Sequence, residues 1–393
     1  MARNITTGID IGTHQIKVVI AEQKQEKHRG FPIIIGTGIA QSRGLRHGYI
    51  INAVDTTEGI RNAISQAEKV AGVQVKRAYL SVGGVGLEEI RSRGEATITR
   101  ADSEVTDLDI EHALKDTEDK ISKRILNRKI LHVIPIRYRI DGEIVLGRPQ
   151  GMKGSRLEVD TLFITSLEQH LNDLIQAVED TGIEVIDVMA SPLAGSFVIL
   201  TKVQKIAGCV LANIGAETVS IVIFENNVPQ SLKVFPIGST DITHDIALGL
   251  KISLEEAEQI KRGAITNTDY SKKKLDDIIT ARLADIFHLI DVHLKRIEKN
   301  ELLPAGIVLT GGGAGIATIE DLARASLKLP SRIATLHVGS SVDKLHSTIK
   351  DSSWAVAYGL CIWGFSNAEE SAGIQIAKKT GTDFITWIKQ FLP

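Results

Sequence analysis

Two hairpins of the same kind, one near the N-terminus and one beginning near residue 207, place the strongest constraint on the fold of this chain. Each is predicted to be a strand, a tight glycine turn and a second strand, in the segments ITTGIDIGTHQIKVVIAEQ and IAGCVLANIGAETVSIVIFENN. A third strand is predicted after each hairpin, in FPIIIGTGIAQS and VPQSLKVFPIG. The repetition predicts two related α/β units rather than one large core, which suits a chain of 393 residues.

Helices follow the hairpins in both units. In the first unit, DTTEGIRNAISQAEKVAG has apolar residues at helical spacing, with Asp55 or Thr56 as the predicted N-cap, and KRAYLSVGG returns to strand. In the second unit, DITHDIALGL and LDDIITARLADIFHLIDVHLKRIEKN are predicted helices. The segment AGIVLTGGGAGIATIEDLARASL is predicted to form a strand, a triple-glycine turn and a helix, and SWAVAYGLCIWGF a last helix. This alternation is typical of α/β folds with helices packed on sheets.

A region of different character, 83–160, interrupts the first unit. It contains a charged predicted helix, TDLDIEHALKDTEDKISKRI, followed by the predicted strands LHVIPIRYRID and SRLEVDTLFIT. We therefore expect a small α+β insertion in the first lobe. The segment 186–202, IDVMASPLAGSFVILTK, is predicted to link the lobes as a helix that could act as a hinge.

Charge and composition exclude several classes of function. Lys and Arg number 46 against 48 Asp and Glu, a net charge of −2, which argues against a nucleic-acid partner. Cys209 and Cys361 lie in apolar segments and are predicted to be buried side chains without a redox role. The N-terminus lacks a secretory signal pattern and no stretch reaches 18 consecutive apolar residues, so a cytoplasmic chain is expected.

The first glycine turn has the features of a phosphate site. Gly12 allows a tight bend in which backbone N–H groups can converge on an anion, and Thr13 adds a hydroxyl donor. Lys17 leaves the turn on the next strand and can bring its ammonium to the same anion. Asp10 ends the incoming strand, where its carboxylate could hold Mg²⁺ through water. The residues predicted to bind the phosphates here are Gly12, Thr13, His14, Gln15 and Lys17.

Two further glycine elements make a nucleotide site the favoured interpretation. The second hairpin repeats the turn, and a phosphate held between two lobes requires one such turn from each. After the strand IVLT, three consecutive glycines allow the backbone to lie against a base or ribose, where a Cβ would collide. The residues predicted to take part are Gly215, Ala216, Glu217, Thr218, Gly311, Gly312 and Gly313, with Asn213 as a second, weak Mg²⁺ contact through water.

This order of turns resembles the actin, Hsp70 and sugar-kinase superfamily, and within it the FtsA family of bacterial cell-division actin homologues. The resemblance to FtsA covers essentially the whole chain and rests on four segments: SRGLRHGYI, HVIP, GMKGSRLEV and AGIVLTGG. It implies an α/β, two-lobed actin-like fold with duplicated RNase H-like subdomains, a small α+β insertion in the first lobe and a C-terminal amphipathic helix.

The resemblance also implies a division into subdomains. These are subdomain 1A (1–82, 161–206 and 351–365), subdomain 1C (83–160), subdomain 2A (207–245 and 302–350), a shortened subdomain 2B (246–301), a linker (366–381) and a membrane-targeting helix (382–393).

Further site residues follow from the resemblance. Glu258 and Lys261 match the helix that packs over ribose and adenine, and Gly238 matches the turn that closes over the phosphates. Two departures bear on mechanism: the second turn usually begins with Asp but here with Asn213, and Ser191 stands where actin and Hsp70 position the attacking water. We expect ATP and Mg²⁺ as cofactors, with tight ATP binding and slow or negligible hydrolysis.

The last twelve residues predict an amphipathic helix with Thr382 as N-cap. Its apolar residues share one face of about 160°, whereas Thr386, Lys389, Gln390 and Asp383 occupy the other. A helix this short cannot span a bilayer but can lie in its interface. The residues predicted to contact anionic membrane lipids are Phe384, Ile385, Trp387, Ile388, Phe391 and Leu392, with the basic residues Lys378, Lys379 and Lys389.

The resemblance implies partners as well: the chain itself in actin-like filaments, the FtsZ C-terminal tail, and later division proteins that bind subdomain 1C. Arg282 could pair with acidic residues of the FtsZ tail. Only NTDYSKKK lies where the family usually has a longer segment, so the tail groove could be altered. The implied role is to anchor FtsZ filaments to the inner face of the cytoplasmic membrane at the division site. A PilM-type pilus-assembly protein and a small-molecule kinase stay open as alternatives.

Overall fold

The computed structural model describes residues 4–23, 31–264, 270–336 and 351–373 of the chain. The strands are β1 (Ile5–Ile11), β2 (Gln15–Glu22), β3 (Ile33–Gln41), β4 (Leu45–Arg46), β5 (Tyr49–Ile50), β6 (Arg77–Val82), β7 (Leu87–Thr97), β8 (Arg128–Ile140), β9 (Glu143–Val145), β10 (Arg156–Leu167), β11 (Glu184–Ala190), β12 (Cys209–Ile214), β13 (Val219–Glu225), β14 (Val228–Phe235), β15 (Ile307–Thr310) and β16 (Ser331–Ile333). The α-helices are α1 (Ala53–Ala71), α2 (Asp107–Ile121), α3 (Glu168–Glu179), α4 (Ser191–Ile199), α5 (Lys202–Ala207), α6 (Ser239–Leu250), α7 (Leu254–Lys261), α8 (Lys272–Arg296), α9 (Ile319–Leu327) and α10 (Ala355–Gly373).

The two predicted units form two sheets of identical design. The first lobe has the strand order β3-β2-β1-β6-β11, and the second has β14-β13-β12-β15-β16. In each sheet the three hairpin strands are antiparallel, and the two outer strands on the other side are parallel to the first. Each strand of one sheet therefore has a counterpart in the other, which confirms the predicted duplication.

The insertion is a separate four-stranded sheet covered by one helix. Its strand order is β7-β10-β8-β9, and all three pairings are antiparallel. Helix α2 begins with a capping box in which Thr106 and Asp109 bond each other's backbone N–H groups, and its apolar face packs on β10 and β7. The long strand β10 then re-enters the first lobe, so the insertion is continuous with that lobe's core.

Helices α4 and α10 lie between the lobes and join their cores. Nearly every side chain of α4 is buried, and Tyr358 of α10 is fully buried. One core cluster contains the first-lobe sheet, α4, α10 and one face of β13, including Val222 and Phe224. The other face of β13, with Ile221 and Ile223, belongs to the core of the second lobe. Cys209 and Cys361 are both fully buried, as predicted.

Several local predictions were wrong. Helix α1 begins at least three residues earlier than predicted, because its N-cap is Asn52, whose side chain accepts from the N–H of Asp55. The segment 186–202 is not one helix, because β11 occupies its first part and α4 begins only at Ser191, with Pro192 in its first turn. Helix α10 continues to Gly373, so 366–373 is helical where a linker was expected.

Candidate functional site

A cleft of about 710 Å³ opens between the lobes, where the turns of both hairpins face each other. It is lined by the carboxyl ends of β1 and β12, the start of α4, helix α7 and the loop after β15. Of the residues predicted to bind nucleotide or metal, the structure brings together Asp10, Gly12, Thr13, His14, Gln15, Lys17, Asn213, Gly215, Ala216, Thr218, Glu258, Lys261, Gly311, Gly312 and Gly313.

The two turns have the same backbone conformation. The N–H of Gly12 donates to the carbonyl of Gln15 at 3.1 Å, and the N–H of Gly215 donates to the carbonyl of Thr218 at 2.9 Å. A Cβ on Gly12 would lie 2.8 Å from the Gln15 oxygen, and one on Gly215 would lie 2.9 Å from the Thr218 oxygen. Both approaches are closer than a side chain tolerates, so glycine is required at both places.

The strands beside the turns differ in charge. In the first hairpin, Asp10 pairs across the strands with Lys17; at the same place in the second, Asn213 pairs with Ser220. The hydroxyl of Ser81 donates to Asp10 at 2.7 Å. Burial raises the pKa of Asp10, and the Ser81 hydrogen bond and the Lys17 charge oppose it only in part. The first turn thus has two groups of opposite charge beside it, and the second has neutral groups.

Lys17 is held at the cleft wall by the start of α10. Its ammonium donates to the carbonyl of Ser353 at 3.1 Å and to the hydroxyl of Ser353 at 2.6 Å, and lies 5.6 Å from the Trp354 ring. Burial lowers the pKa of Lys17, while the carboxylates of Asp10 and Asp351 oppose that shift. Lys17 lines the cleft, so its ammonium suits an anionic ligand there.

Gly311 and Gly312, which follow β15, have different structural roles. Gly311 has φ +90°, and a Cβ there would lie 2.2 Å from Oδ1 of Asn213. Gly312 has no atom within 4 Å of the place where a Cβ would be, although it lines the cleft. The fold therefore requires glycine at 311, whereas at 312 the free space is part of the cleft.

Helix α7 contributes a compact ionic cluster. The carboxylate of Glu258 accepts from Thr243 at 2.6 Å, from Lys261 at 2.6 Å and from Arg262 at 2.7 Å. Burial alone would raise the pKa of Glu258, but these three hydrogen bonds outweigh it and lower the pKa to about 2. Lys261 also donates to the carbonyl of Ser239 at 3.0 Å, which fixes α7 against the start of α6.

Two predicted nucleotide contacts lie outside the cleft lining. Glu217 turns away to the first lobe, where its carboxylate accepts from the N–H of His47 at 2.5 Å and its carbonyl lies 3.1 Å from His47 Nδ1. Gly238 is the N-cap of α6, and its N–H donates to Asp241 at 2.8 Å. Glu217 therefore connects the lobes, and His47 is a residue that the sequence did not single out.

Ser191 and the root of the insertion also border the cleft. Ser191 is the first residue of α4, and its hydroxyl lies 2.9 Å from where a Cβ of Gly83 would be. Gly83 and Gly84, which precede β7, line the cleft as well. The side chain of His132 in β8 accepts from the N–H of Ala190 at 3.0 Å, so the insertion is bonded directly to the residue before Ser191.

Arg282 lies within α8 and is engaged by the chain itself. Its guanidinium pairs with Asp245 of α6 in two hydrogen bonds of 2.6 and 3.0 Å, and Asp285 lies 3.5 Å away. About 29% of its side chain is exposed. The structure thus gives Arg282 a role in joining α8 to α6, and a partner's carboxylate would have to compete with Asp245.

The part of the chain that the structure describes has no group of three His, Cys, Asp or Glu side chains that could hold a metal ion directly. None of the described helices combines the length and the apolar composition needed to cross a bilayer. The predicted terminal helix (382–393), the basic residues 378 and 379 and the rest of the linker lie outside the described residues.

Comparison with known proteins identifies the family. The model of the cell division protein FtsA matches residues 210–359, and the model of the SHS2 domain inserted in FtsA matches residues 84–165. The chain is 30% identical to the cell division protein FtsA of Buchnera aphidicola subsp. Acyrthosiphon pisum, over 92% of this chain and 91% of that protein. The chain belongs to the FtsA family. The FtsA of Pseudomonas aeruginosa is 27% identical over 94% of this chain and 91% of that protein, so the whole length is related.

Solved structures show that the fold is shared more widely. The PilM-PilN type IV pilus biogenesis complex contains a chain with a TM-score of 0.70 and 15% identity, covering 91% of this chain and 98% of that one. MreB5 of Spiroplasma citri bound to AMPPNP gives a TM-score of 0.53 at 13% identity, over 94% and 99%. The actin-like fold and the FtsA resemblance are both confirmed, whereas the likeness to PilM is one of fold.

Proposed function

We propose that this FtsA-family chain binds ATP in the interlobe cleft and acts as a membrane-tethered, polymerising anchor for FtsZ filaments. The observation that carries the nucleotide part is the pair of equivalent glycine turns, one from each lobe, facing one cleft. Backbone N–H groups at such turns suit phosphate oxygens. The MreB5 chains of the same fold are described as bound to ADP and to AMPPNP, which supports the same ligand class here.

Each side of the cleft has a distinct part in this proposal. The ammonium of Lys17 and the turn amides hold the phosphates, while Glu258 and Lys261 of α7 lie beside the ribose and adenine. Gly312, whose Cβ position is free of protein atoms, leaves room for the planar base. A volume of about 710 Å³ is within the usual range for a ligand of this size.

The residues present also fit Mg²⁺. Asp10 and Asn213 line the cleft from opposite lobes, and no cluster of three direct ligands exists among the described residues. Mg²⁺ keeps most of its waters and takes few protein ligands beside phosphate oxygens, so two oxygen-bearing side chains reached through water suffice. The ion would neutralise phosphate charge. The waters around the ion would donate hydrogen bonds to the anionic carboxylate of Asp10 and to the neutral amide oxygen of Asn213.

We infer that hydrolysis is slow. Phosphoryl transfer to water needs an oriented nucleophile, and Ser191 lines the cleft with a short side chain whose hydroxyl lies beside Gly83. Asn213 supplies no negative charge to the metal. ATP would then act mainly as a conformational ligand that sets the angle between the lobes.

A substitution at Gly312 tests the nucleotide proposal without disturbing the fold. A valine at 312 would meet no protein atom within 4 Å of its Cβ, so thermal stability without ligand should equal that of the wild type. Its side chain would occupy the cleft, and affinity for a fluorescent ATP analogue should fall about 100-fold, which corresponds to about 2.7 kcal/mol. Unchanged affinity with unchanged stability would show that the nucleotide does not lie on this loop.

The membrane proposal rests on the amphipathic face predicted for 382–393. Binding by one short helix should be weak and reversible, and many copies on a polymer should make it strong. Liposome pelleting should show loss of binding for a chain ending at Gly381. Trp387→Glu should release the protein, whereas the matched charge change Gln390→Glu on the polar face should have a small effect. Equal behaviour of the two variants would contradict an interfacial helix.

For the FtsZ partner, we propose that the tail docks on subdomain 2B near α8. Because Asp245 already pairs with Arg282, Asp245→Asn should free the guanidinium and strengthen binding of an FtsZ tail peptide. Arg282→Gln should weaken it. Fluorescence anisotropy with the peptide measures both, and equal affinity of the two variants would remove Arg282 from the docking site.

A further inference from the structure

A second cavity, of about 490 Å³, lies between the insertion and the second lobe. One wall is the face of the insertion sheet formed by β7, β8 and β10, and the other is Gln230 of β14 with the residues after α8, 297–299. It shares no lining residue with the interlobe cleft. We call this cavity the insertion cleft.

The insertion cleft opens where two tightly bonded surfaces diverge. At the start of β7, the carboxylate of Glu89 accepts from the hydroxyl of Ser231 at 2.6 Å and from the N–H of Leu232 at 2.8 Å. One step further, Arg91 donates to the carbonyl of Gln230 at 2.5 Å. Beyond Arg91 the insertion cleft lies between the insertion sheet and Gln230 of β14.

The walls of the insertion cleft are mainly cationic. Four cations line it, Arg91, Arg93, Arg137 and Lys299, against the two anions Asp160 and Glu298, and Lys299 also pairs with Glu225 outside the lining at 2.7 Å. This local excess contrasts with a net charge of −2 for the whole chain. A cavity lined by one sign of charge concentrates ligands of the opposite sign, so the insertion cleft favours an anionic ligand.

The carboxylate of Asp160 already lies between two guanidinium groups. Its two oxygens pair with Arg93 at 2.7 Å and with Arg139 at 3.0 Å. Arg137 lies opposite Asp160 in the strand register, yet it has no carboxylate partner among the described residues, and its side chain is exposed. Arg137 is therefore the cation that is available to a ligand.

We propose that the insertion cleft binds a short acidic peptide segment of a partner protein. Arginine forks match carboxylates in pairs of hydrogen bonds, and Ile136 and Ile297 on opposite walls offer apolar contacts to the residues between them. A single cavity on a chain of near-neutral charge suits a peptide better than a nucleic acid, which needs a continuous basic surface. A peptide seated on both walls would also fix the angle of the insertion against the second lobe.

Peptide binding to the full-length chain tests this proposal. The probe is a fluorescein-labelled ten-residue peptide that alternates Glu and Leu, followed by anisotropy at low salt, with a Gln-for-Glu peptide as the neutral control. Arg137→Glu should weaken binding of the acidic probe at least tenfold, and the neutral peptide should not bind. Arg124→Glu makes the same charge change on an exposed residue of the insertion outside the cavity, and should leave binding unchanged.

Four results would overturn the proposal. These are an absence of saturable binding up to about 1 mM, the weak limit of specific association; an equal loss for both variants; displacement of the peptide by inorganic phosphate at equal concentration; and tighter binding of a short oligonucleotide than of the peptide. Thermal melting of each variant, together with its ATP affinity, separates a docking defect from misfolding or from failure of the nucleotide proposal.

Discussion

The turns of the two lobes share a backbone and differ in charge. Both close with a glycine N–H bonded to the carbonyl three residues on, and both leave that glycine no room for a side chain. Beside this common frame, the first lobe pairs Asp10 with Lys17, and the second pairs Asn213 with Ser220. The duplicated fold has thus kept the geometry that receives an anion on both sides, and has concentrated the charges on one.

The residue two places after each turn glycine reaches towards the opposite lobe. His14 of the first turn lies within the electrostatic reach of Arg262, Glu258 and Lys261. The pKa of His14 is lowered mainly by burial and next by the charge of Arg262. Glu217 of the second turn bonds to His47 of the first lobe. The hydrogen-bonded clasp between Glu217 and His47 therefore joins the two lobes directly, whereas His14 senses the charges of α7 at longer range.

Removing the shared geometry should have the largest effect. Gly12→Val and Gly215→Val each place a Cβ within 3 Å of a backbone oxygen, so each should distort its turn and lower ATP affinity about 100-fold or more, roughly 2.7 kcal/mol. The losses should be similar because the two turns are equivalent. Equilibrium binding of labelled ATP measures the affinity of each variant. A loss of affinity in only one variant would show that the turn altered in the other variant does not touch the ligand.

Exchanging the charges should have unequal effects in the two lobes. Asp10→Asn keeps the acceptor for Ser81 but removes the anion, so ATP affinity in Mg²⁺ should fall about tenfold, roughly 1.4 kcal/mol, with little change in EDTA. Asn213→Asp should instead raise the rate of ATP hydrolysis, because a second carboxylate then orders the metal and its water. A phosphate-release assay decides the second point; an unchanged rate would locate the limitation at Ser191.

Opening the clasp should affect kinetics more than affinity. Glu217→Ala removes the carboxylate that accepts from the N–H of His47, leaves the carbonyl contact with His47 Nδ1 in place, and should increase the rate of nucleotide release about tenfold. His47→Asn retains the backbone N–H that donates to Glu217 and suits the positive φ at that position, so its effect should be smaller. Stopped-flow displacement of a fluorescent nucleotide gives both rates, and faster release from His47→Asn than from Glu217→Ala would contradict the clasp.

The pH dependence of Glu258 should be the smallest effect. Its pKa is lowered from 4.5 in the unfolded chain to about 2, so its contribution to stability is complete above about pH 4.5 and is lost as the pH falls towards about 2. The difference in unfolding free energy between wild type and Glu258→Gln should therefore shrink over that range. Urea unfolding at several pH values tests this, and a constant difference would mean that the hydrogen bonds to Glu258 are not formed.

Local sequence patterns predicted the fold better than they predicted the contacts across it. The two hairpins and the triple glycine depend on residues adjacent in sequence, and all were predicted at the correct places. Strand β7 was missed because LEEIRSRGEAT carries charges on both faces. Strand β11 was predicted as part of a helix because the apolar run before Pro192 is compatible with either structure. The contacts of Glu217 with His47 and of Lys17 with Ser353 join distant parts of the chain, so no local sequence pattern predicts them.

The central claim is that one nucleotide lies between the two equivalent turns, and calorimetric titration of the full-length chain with MgATP tests it most directly. The account predicts one site per chain, and loss of binding heat in both Gly12→Val and Gly215→Val. Absence of heat in the folded wild type up to about 1 mM ATP would contradict it. Undiminished binding in either variant would contradict it equally.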